Sequence, residues 1–403
     1  MKWLFDFPFA LPRGQNAADV LLDRVPSSGT VASVRLAAAL AAAGEECIVL
    51  DSTAGARPGA AAGVTIEPAG DVAARFEAER ADAVLVLPPA SALRVLRALR
   101  GKRGSAVFWL HNNLAAELLD DAFAGGLGRA VSVSHPAAAV YDAYPWWWRI
   151  EAIPHSLRGA FPFAPAAPEG KRVAFVGAVS EAKGFHHLLA AWPLVLRRVP
   201  EATLDVFGSI ALHHPAAALG PSGAMSAEFE AKHWRAPANV RFRGSLPRQE
   251  LCDELRRARV VVVNPNLTGS TETFCLSAVE AQACGVPVVG AAAEGLLETV
   301  DDGRSGLLIR SQSPEELAGA IARVLEDDAL YAELAAGALA HAARFRSPER
   351  EAQEWMAMAR RMRSGAPAAR RRSPRGRMLG ALGLGRAKLA LKRRLRPHPD
   401  SRA

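Results

Sequence analysis

Short apolar runs alternate along this chain with longer segments dominated by Ala, Leu and Arg. In the first half the runs are KWLFDF (2–7), CIVL (47–50), AVLVL (83–87), AVFWL (106–110), AVSV (130–133) and IEAI (150–153), with helical spacing between them over Val31–Ala43 and Ser91–Arg100. A Pro- and Ala-rich break, FPFAPAAPEG (161–170), follows. Its prolines remove backbone donors and disfavour helix in the residue before them, so it reads as a linker. A second series then begins: RVAFVG (172–177), TLDVFG (203–208), VRFRG (240–244), VVVVN (260–264) and VPVVG (286–290). Helices are predicted at 184–199, 247–258, 275–284, 314–325, 328–344 and Pro348–Met362. Such alternation predicts βαβ units and parallel sheets. The fold class is therefore α/β, with two doubly wound, Rossmann-like domains facing one cleft and ligands at the carboxyl ends of the strands. The boundaries read as 1–163, 164–346, a crossover helix 347–364 and a basic tail 365–403.

Composition adds exclusions. Of 403 residues half are hydrophobic and 22% charged, so a large core can be buried and global disorder is excluded. Every apolar stretch of transmembrane length, about 18 residues, is interrupted by charge, Pro or Gly, so no membrane-spanning helix is expected. The opening MKWLFDFPFALPRG has some signal-peptide character, but Asp6 and Pro8 break it and no small-residue cleavage site follows; it reads as a first strand. Cys47, Cys252, Cys275 and Cys284 form no CxxC pair. They are expected to be reduced thiols of a cytoplasmic protein, with no disulfide frame and no zinc site.

The net charge of +8 is unevenly placed. From Arg370 onward there are 12 Lys and Arg against one acid, Asp400, whereas the preceding 369 residues hold 37 basic and 40 acidic side chains. The body is slightly acidic, which argues against a nucleic-acid face. The tail mixes its basic clusters with Met378, Leu379, Leu382, Leu384, Leu389, Leu391 and Leu395. Gly380, Gly383 and Gly385 weaken a free helix there. Two main readings stand: a disordered, solvated extension, or attachment of 370–403 to an anionic membrane surface at about 1 kcal/mol per basic residue. Lying on a membrane fits this composition; spanning one does not. RNA binding is a third reading.

The densest chemical signal is NPNLTGSTETFCLSAVEAQACGVPVVG (264–290): a buried strand, a polar loop, then a helix starting near Cys275. Helix N-termini offer unpaired N–H groups and partial positive charge, suited to a diphosphate. Glu280, inside the helix, has the acceptor chemistry to hold a ribose diol. Equally, Glu272 can be a favourable charge at a helix N-terminus and Glu280 part of a solvated face. His186–His187 and His213–His214 are discounted as metal ligands, because adjacent helical residues diverge and no third ligand stands at suitable spacing. Trp146–Trp148 are expected in interdomain packing, and His213–Trp234 as a mobile loop.

The Glu–seven residues–Glu spacing, AQACGVPVVG (281–290), ETVDDGRSGLLI (298–309) and FVGAVSEAKGFHHLL (175–189) resemble the retaining GT-B glycosyltransferases of family 4, glycosyl transferase group 1. SSGTVASVRLAAALAAAGEE (27–46), WLHNN (109–113), VSVSHPAAAVY (131–141) and RIEAIPHSL (149–157) extend the resemblance over about residues 1–363. It implies an acceptor-binding first domain and a second domain holding a nucleotide-diphosphate sugar. Lys183 would pair with the donor phosphates, Glu280 hold the ribose, and Glu272 contact hydroxyls of the donor sugar. The backbone of Thr273, Phe274, Cys275 and Leu276 would face the phosphates or sugar. His111 would approach the reacting carbon, and Gly29 and Thr30 would form the facing loop.

Three departures stand out. Ala178 replaces the usual arginine after the first strand's glycine. One such charge-aimed donor can be worth about 3–4 kcal/mol in a transition state; Arg172, Arg241 and Arg243 are candidates to compensate. Thr273 and Cys275 replace glycines flanking Phe274. His155 stands where many relatives have asparagine. The function expected is a retaining, metal-independent hexosyltransferase with no cofactor beyond its sugar-nucleotide co-substrate. It would act on a glycan or lipid-linked acceptor in cell-envelope polysaccharide synthesis, in the cytoplasm or at the membrane's inner face. A non-catalytic nucleotide-sugar-binding protein and a sugar-nucleotide 2-epimerase are the alternatives, and no nucleic acid is expected as partner.

Overall fold

The computed structural model describes residues 1–7, 29–52, 58–87, 95–96, 99, 105–157, 161–208, 223–235, 237–268 and 272–394. The chain divides into two compact units, Met1–His155 with Pro348–Ala403, and Ser156–Ser347.

The first unit carries β1 (Lys2–Phe7), β2 (Glu46–Asp51), β3 (Gly59–Ala61), β4 (Val64–Pro68), β5 (Ala83–Val86), β6 (Ala106–Leu110), β7 (Arg129–Ser132) and β8 (Ile150–Ala152). Their order is β3-β4-β2-β1-β5-β6-β7-β8; β3 runs antiparallel to β4 and the other pairs are parallel. The second unit carries β9 (Arg172–Val176), β10 (Thr203–Phe207), β11 (Val240–Gly244), β12 (Val260–Val262), β13 (Val288–Ala291) and β14 (Gly306–Ile309). These are all parallel in the order β11-β10-β9-β12-β13-β14. Counted from β9 this is 3-2-1-4-5-6, the doubly wound nucleotide-binding order.

Each apolar run singled out in the sequence becomes a strand within two residues at either end. The sequence reading missed β3, β4 and β14. Each is short, and Gly, Ala or charged residues crowd their borders. The expected helix at 91–100 lies mostly outside the described residues. So does much of His213–Trp234, of which Ala227–His233 is a helix with Phe229 buried, not a loop.

Burial on both faces explains the unbroken apolar runs. Val173 and Phe175 of β9 join Leu188, Trp192, Leu317 and Ile321 from the Phe185–Arg198 and Pro314–Glu326 helices. Ala174, pointing the other way, joins Cys252, Leu255, Ala278 and Ala281 from the Arg248–Arg256 and Leu276–Ala283 helices. In the first unit Leu4, Val84 and Phe108 pack with Phe76, Leu119 and Tyr141. On the opposite face Trp3 and Trp109 meet Trp355 edge-on at 6.4 and 5.0 Å. Aromatic pairs of this kind contribute about 0.5–1.5 kcal/mol beyond their buried area. Trp355 lies on the Pro348–Arg363 helix, so the chain leaves the second unit and finishes on the first.

Two expectations are corrected here. Trp146 packs inside the first unit, stacked on Tyr144 at 5.1 Å, and its Nε1 donates to Asp120 at 2.8 Å. The tail is not a free extension over its described part: Pro374–Ala381 and Leu384–Arg394 are helices packed on the first unit. Arg370 pairs with the buried carboxylate of Asp142, which also accepts the Ser373 N–H at 2.7 Å. A Cβ on Gly376 would fall 2.1 Å from that of Asp142, and one on Gly385 would fall 2.2 Å from the Ala143 carbonyl oxygen. The glycines at 376 and 385 permit close contact with the body, and Leu389 reaches its core.

Removing one partner of a buried ion pair costs about 3–5 kcal/mol unless the structure relaxes. Detachment of the tail is the available relaxation. Asp142→Ala should therefore open native protein to rapid tryptic cleavage between Arg370 and Arg377, and Gly376→Val should do the same by steric exclusion. Continued resistance in both variants would show that Asp142 does not hold the tail.

Candidate active site

The second sheet reverses its order between β9 and β12, which pair directly through Val173 with Val260 and Phe175 with Val262. Loops leave such a point in opposite directions, and open α/β sheets bind ligands there. After β9 the chain reaches Lys183 and then Gly184, whose φ of +70° starts the Phe185–Arg198 helix. A Cβ on Gly184 would lie 2.9 Å from the Asn266 backbone nitrogen, so close approach of the two loops also requires glycine. After β12 come Asn264 and Asn266; Asn266 Nδ2 donates to the Glu181 carbonyl at 3.1 Å and ties the loops together.

Across this junction Lys183 Nζ donates to Glu272 Oε2 at 2.6 Å. Asn264 Nδ2 approaches the same oxygen at 3.3 Å. The loop after β13 completes the group. Gly295 N–H donates to the Glu272 carbonyl at 2.9 Å, and a Cβ on Gly295 would fall 2.4 Å from the Phe274 nitrogen.

Three residues here hold left-handed backbones without being glycine: Asn264 (φ +34°), Cys275 (+60°) and Glu294 (+46°). Such conformations cost about 1–3 kcal/mol each and gather at functional sites. Cys275 is the N-cap of the Leu276–Ala283 helix but makes no side-chain capping bond. The first helical turn therefore presents N–H groups that an anion can accept from.

Burial opposes the charge on Lys183, but Glu272 outweighs it, aided by Cys275 and Glu294, and its pKa is raised. Lys183 is thus a cation at neutral pH. Burial and then Glu272 push the Cys275 thiol up to about 12, so it is no nucleophile. Thr273, Phe274 and Cys275 are buried and Leu276 half-buried, with Phe274 held edge-on to Phe345 at 5.5 Å. Glu280, one turn into the helix, is 8% exposed, which rules out a solvated helix face.

The other predicted residues lie in the first unit. His111 follows β6, with its ring 4.6 Å from Trp109 and 5.1 Å from His155. Burial, reinforced by His155 and opposed by Glu351, drives its pKa well below the usual value, so the ring is neutral at pH 7. Gly29 and Thr30 begin the Gly29–Ala42 helix, and their side chains lie outside the described residues.

Ala178 is buried just past β9, and the three proposed substitutes for arginine do not serve its position. Arg172 opens β9 at the end of the strand remote from the crest. It pairs with Asp205 and Glu254, while Arg241 pairs with Asp205 and Arg243 with Glu254. These guanidiniums are committed to carboxylates around one surface pocket. The sequence reading also passed over Asn264, Asn266 and Glu294 as site residues. A polar residue closing an apolar strand was a signal for Asn264, whereas an acid in AAAEG carried none.

Residues 160–340 match the family described as Glycosyl transferases group 1. A D-inositol 3-phosphate glycosyltransferase of Acidothermus cellulolyticus is 44% identical over 131 residues, covering 31% of this chain and 28% of that protein. The enzyme of the same name from Corynebacterium kroppenstedtii is 35% identical over 178 residues, covering 43% and 37%. The chain thus spans less than half the length of these curated relatives. In fold, it is similar to sucrose-phosphate synthase from Thermosynechococcus elongatus, with a TM-score of 0.66, 17% identity, and coverage of 91% of this chain and 100% of that one. Anabaena Alr3699/HepE in complex with UDP-glucose gives 0.64, 18% identity, and coverage of 90% and 100%. The fold is GT-B: two Rossmann-like parallel-sheet domains.

A histidine held neutral by burial makes the unfolded chain the better proton acceptor. Stability should therefore fall as pH drops below about 6.5, with each proton taken up preferentially by the unfolded state worth about 1.4 kcal/mol per pH unit. His111→Gln should flatten the slope of Tm between pH 6.5 and 4.5; an unchanged slope would mean that His111 is protonated in the folded protein.

Proposed function

We propose that this chain is a retaining glycosyltransferase that moves a hexosyl group from a nucleotide-diphosphate sugar to a glycan or lipid-linked acceptor. The carrying observation is the Lys183–Glu272 pair at the strand-order reversal, beside the uncapped start of the Leu276–Ala283 helix. Lys183 and the helix N–H groups meet the diphosphate and stabilise it as it leaves, as preorganised donors do where charge develops. Binding then exchanges partners: the phosphates take Lys183, and Glu272 turns to hydroxyls of the sugar. Glu280 holds the ribose. His111, in the first unit, is neutral, so it serves as a hydrogen-bonding group and not as a cation.

Transfer forms the bond from the acceptor oxygen to the anomeric carbon and breaks the bond from that carbon to the phosphate oxygen. The acceptor's proton passes to a donor phosphate oxygen on the same face, which retains the configuration. Lys183 supplies cationic charge without a metal, so activity should persist in EDTA. The UDP and UDP-glucose complexes of Anabaena Alr3699/HepE make UDP the first donor base to examine. The name of the sequence relatives adds a phosphorylated cyclitol to the acceptors to be tried.

A second reading, a nucleotide-sugar-binding protein without turnover, draws on Ala178 and the commitment of Arg172, Arg241 and Arg243 elsewhere. A 2-epimerase would instead release nucleotide or form an epimer without acceptor. Thermal unfolding with UDP, GDP, ADP and CDP is the first test. A ligand at 100 times its Kd should stabilise the wild type by about 2.7 kcal/mol, and Glu280→Ala should abolish the shift. Absence of any shift would remove the donor-site reading. Turnover with an acceptor, and its loss by a hundredfold or more in Lys183→Ala, separates the enzyme from the binding protein.

The cellular setting we propose is envelope polysaccharide synthesis in the cytoplasm, at the membrane's inner face. Support comes from the packed tail, which leaves Met378, Leu382 and Leu384 58%, 66% and 48% exposed among arginines. Removing residues 370–403 should abolish co-sedimentation with anionic liposomes and leave nucleotide binding intact. Continued sedimentation would place any membrane contact elsewhere.

A further inference from the structure

Three loops converge where the second sheet reverses: the loop after β9 with Lys183, the loop after β12 with Glu272, and the loop after β13 with Glu294. The third is fixed as firmly as the others. Its Gly295 is pinned against the 272–274 backbone, and the Glu294 carboxylate, one residue earlier, interacts electrostatically with both Lys183 and Glu272. Its Oε2 is buried and has no hydrogen-bond partner among the described residues. Its left-handed φ of +46° is a conformation that a glycine would adopt without strain. A buried acceptor left without a donor destabilises the fold, more so when it is charged. Neither the backbone nor the packing accounts for a carboxylate at this place; a ligand that donates to it does.

The ligand's chemistry narrows the choice. An ionised carboxylate only accepts hydrogen bonds, so it cannot serve a phosphate oxygen, and it repels one. The hydroxyl groups of a sugar can donate to it. Burial and then the Glu272 charge raise the Glu294 pKa, opposed by Lys183, as expected for a carboxyl whose donors arrive only with a ligand.

We propose that Glu294 is a specificity residue for the transferred sugar: it accepts a hydrogen bond from a sugar hydroxyl and turns away donors whose sugar carries a carboxylate. This rests on the donor-site reading above. Neutral hexose donors are accepted, and hexuronate donors meet two carboxylates, Glu272 and Glu294, with one cation between them.

Affinities decide the matter. For the wild type, Glu294→Gln and Glu294→Gly, titration calorimetry would compare UDP with UDP-glucose and UDP-glucuronate, and GDP with GDP-mannose and GDP-mannuronate. The glycine variant suits the backbone and guards against a folding defect. Both variants should bind the free diphosphate within twofold of wild type and lose about tenfold for the neutral sugar donor, a charged hydrogen bond's worth. The wild type's preference for hexose over hexuronate should shrink toward one. If diphosphate and diphosphate-sugar affinities move together, or selectivity is unchanged, Glu294 does not read the sugar although the donor site stands. If the wild type binds none of the nucleotides, both readings fall.

Discussion

Everything at the candidate site depends on one feature of the second sheet: β9 and β12 are hydrogen-bonded neighbours although their last residues, Val176 and Val262, lie 86 positions apart in the chain. Their following loops have no intervening strand and must share one crest. Lys183 and Glu272 lie 89 positions apart in the chain, yet meet at 2.6 Å because their parent strands are paired. The helix after Cys275 then starts beside that pair. A parallel sheet allows this only at its point of reversal, since elsewhere successive crossovers carry their loops to the same side.

Tight backbone packing makes the crest rigid and also strains it. Gly184 and Gly295 are in contact with neighbouring backbone that a side chain would displace. Asn264, Cys275 and Glu294 take left-handed conformations that glycine would adopt more cheaply. The core beneath, with Phe175 and Phe185 in ring contact at 4.9 Å and Val261 and Ala278 fully buried, holds those conformations in place. Before a donor arrives, Lys183 is neutralised by Glu272, and that pairing keeps a half-buried ammonium charged against the desolvation that would otherwise lower its pKa.

Charge asymmetry in the tail has a structural counterpart in the first unit. Asp142 is a buried acid, and it lies where the tail's first arginines arrive. Arg372 stacks over Trp147 at 5.3 Å, beside the Arg370 pair. A segment that looks solvated by composition is thereby folded back onto the body, with its glycines used for close approach. Arg361 of the crossover helix makes a two-pronged bond to the buried Glu151, at 3.1 Å for each prong.

Eleven of the fourteen described strands and the class of fold are legible in the local pattern of the chain, because a strand buried on both faces is largely apolar and the helices between are amphipathic. The sequence also marked Glu272 and Glu280 through residue types and spacing within one segment, while Lys183, and Ala178 in place of an arginine, stood out only through the family resemblance. Only the tertiary structure decided what distant segments do to each other. It put Lys183 on Glu272, sent Arg172 and its neighbours to Asp205 and Glu254, buried Trp146 within one unit, and gave Glu294 a place at the crest. Local pattern reports the burial of a residue's own element; partners are set by strand pairing and backbone approach across tens of residues, which leave no periodic trace in the chain.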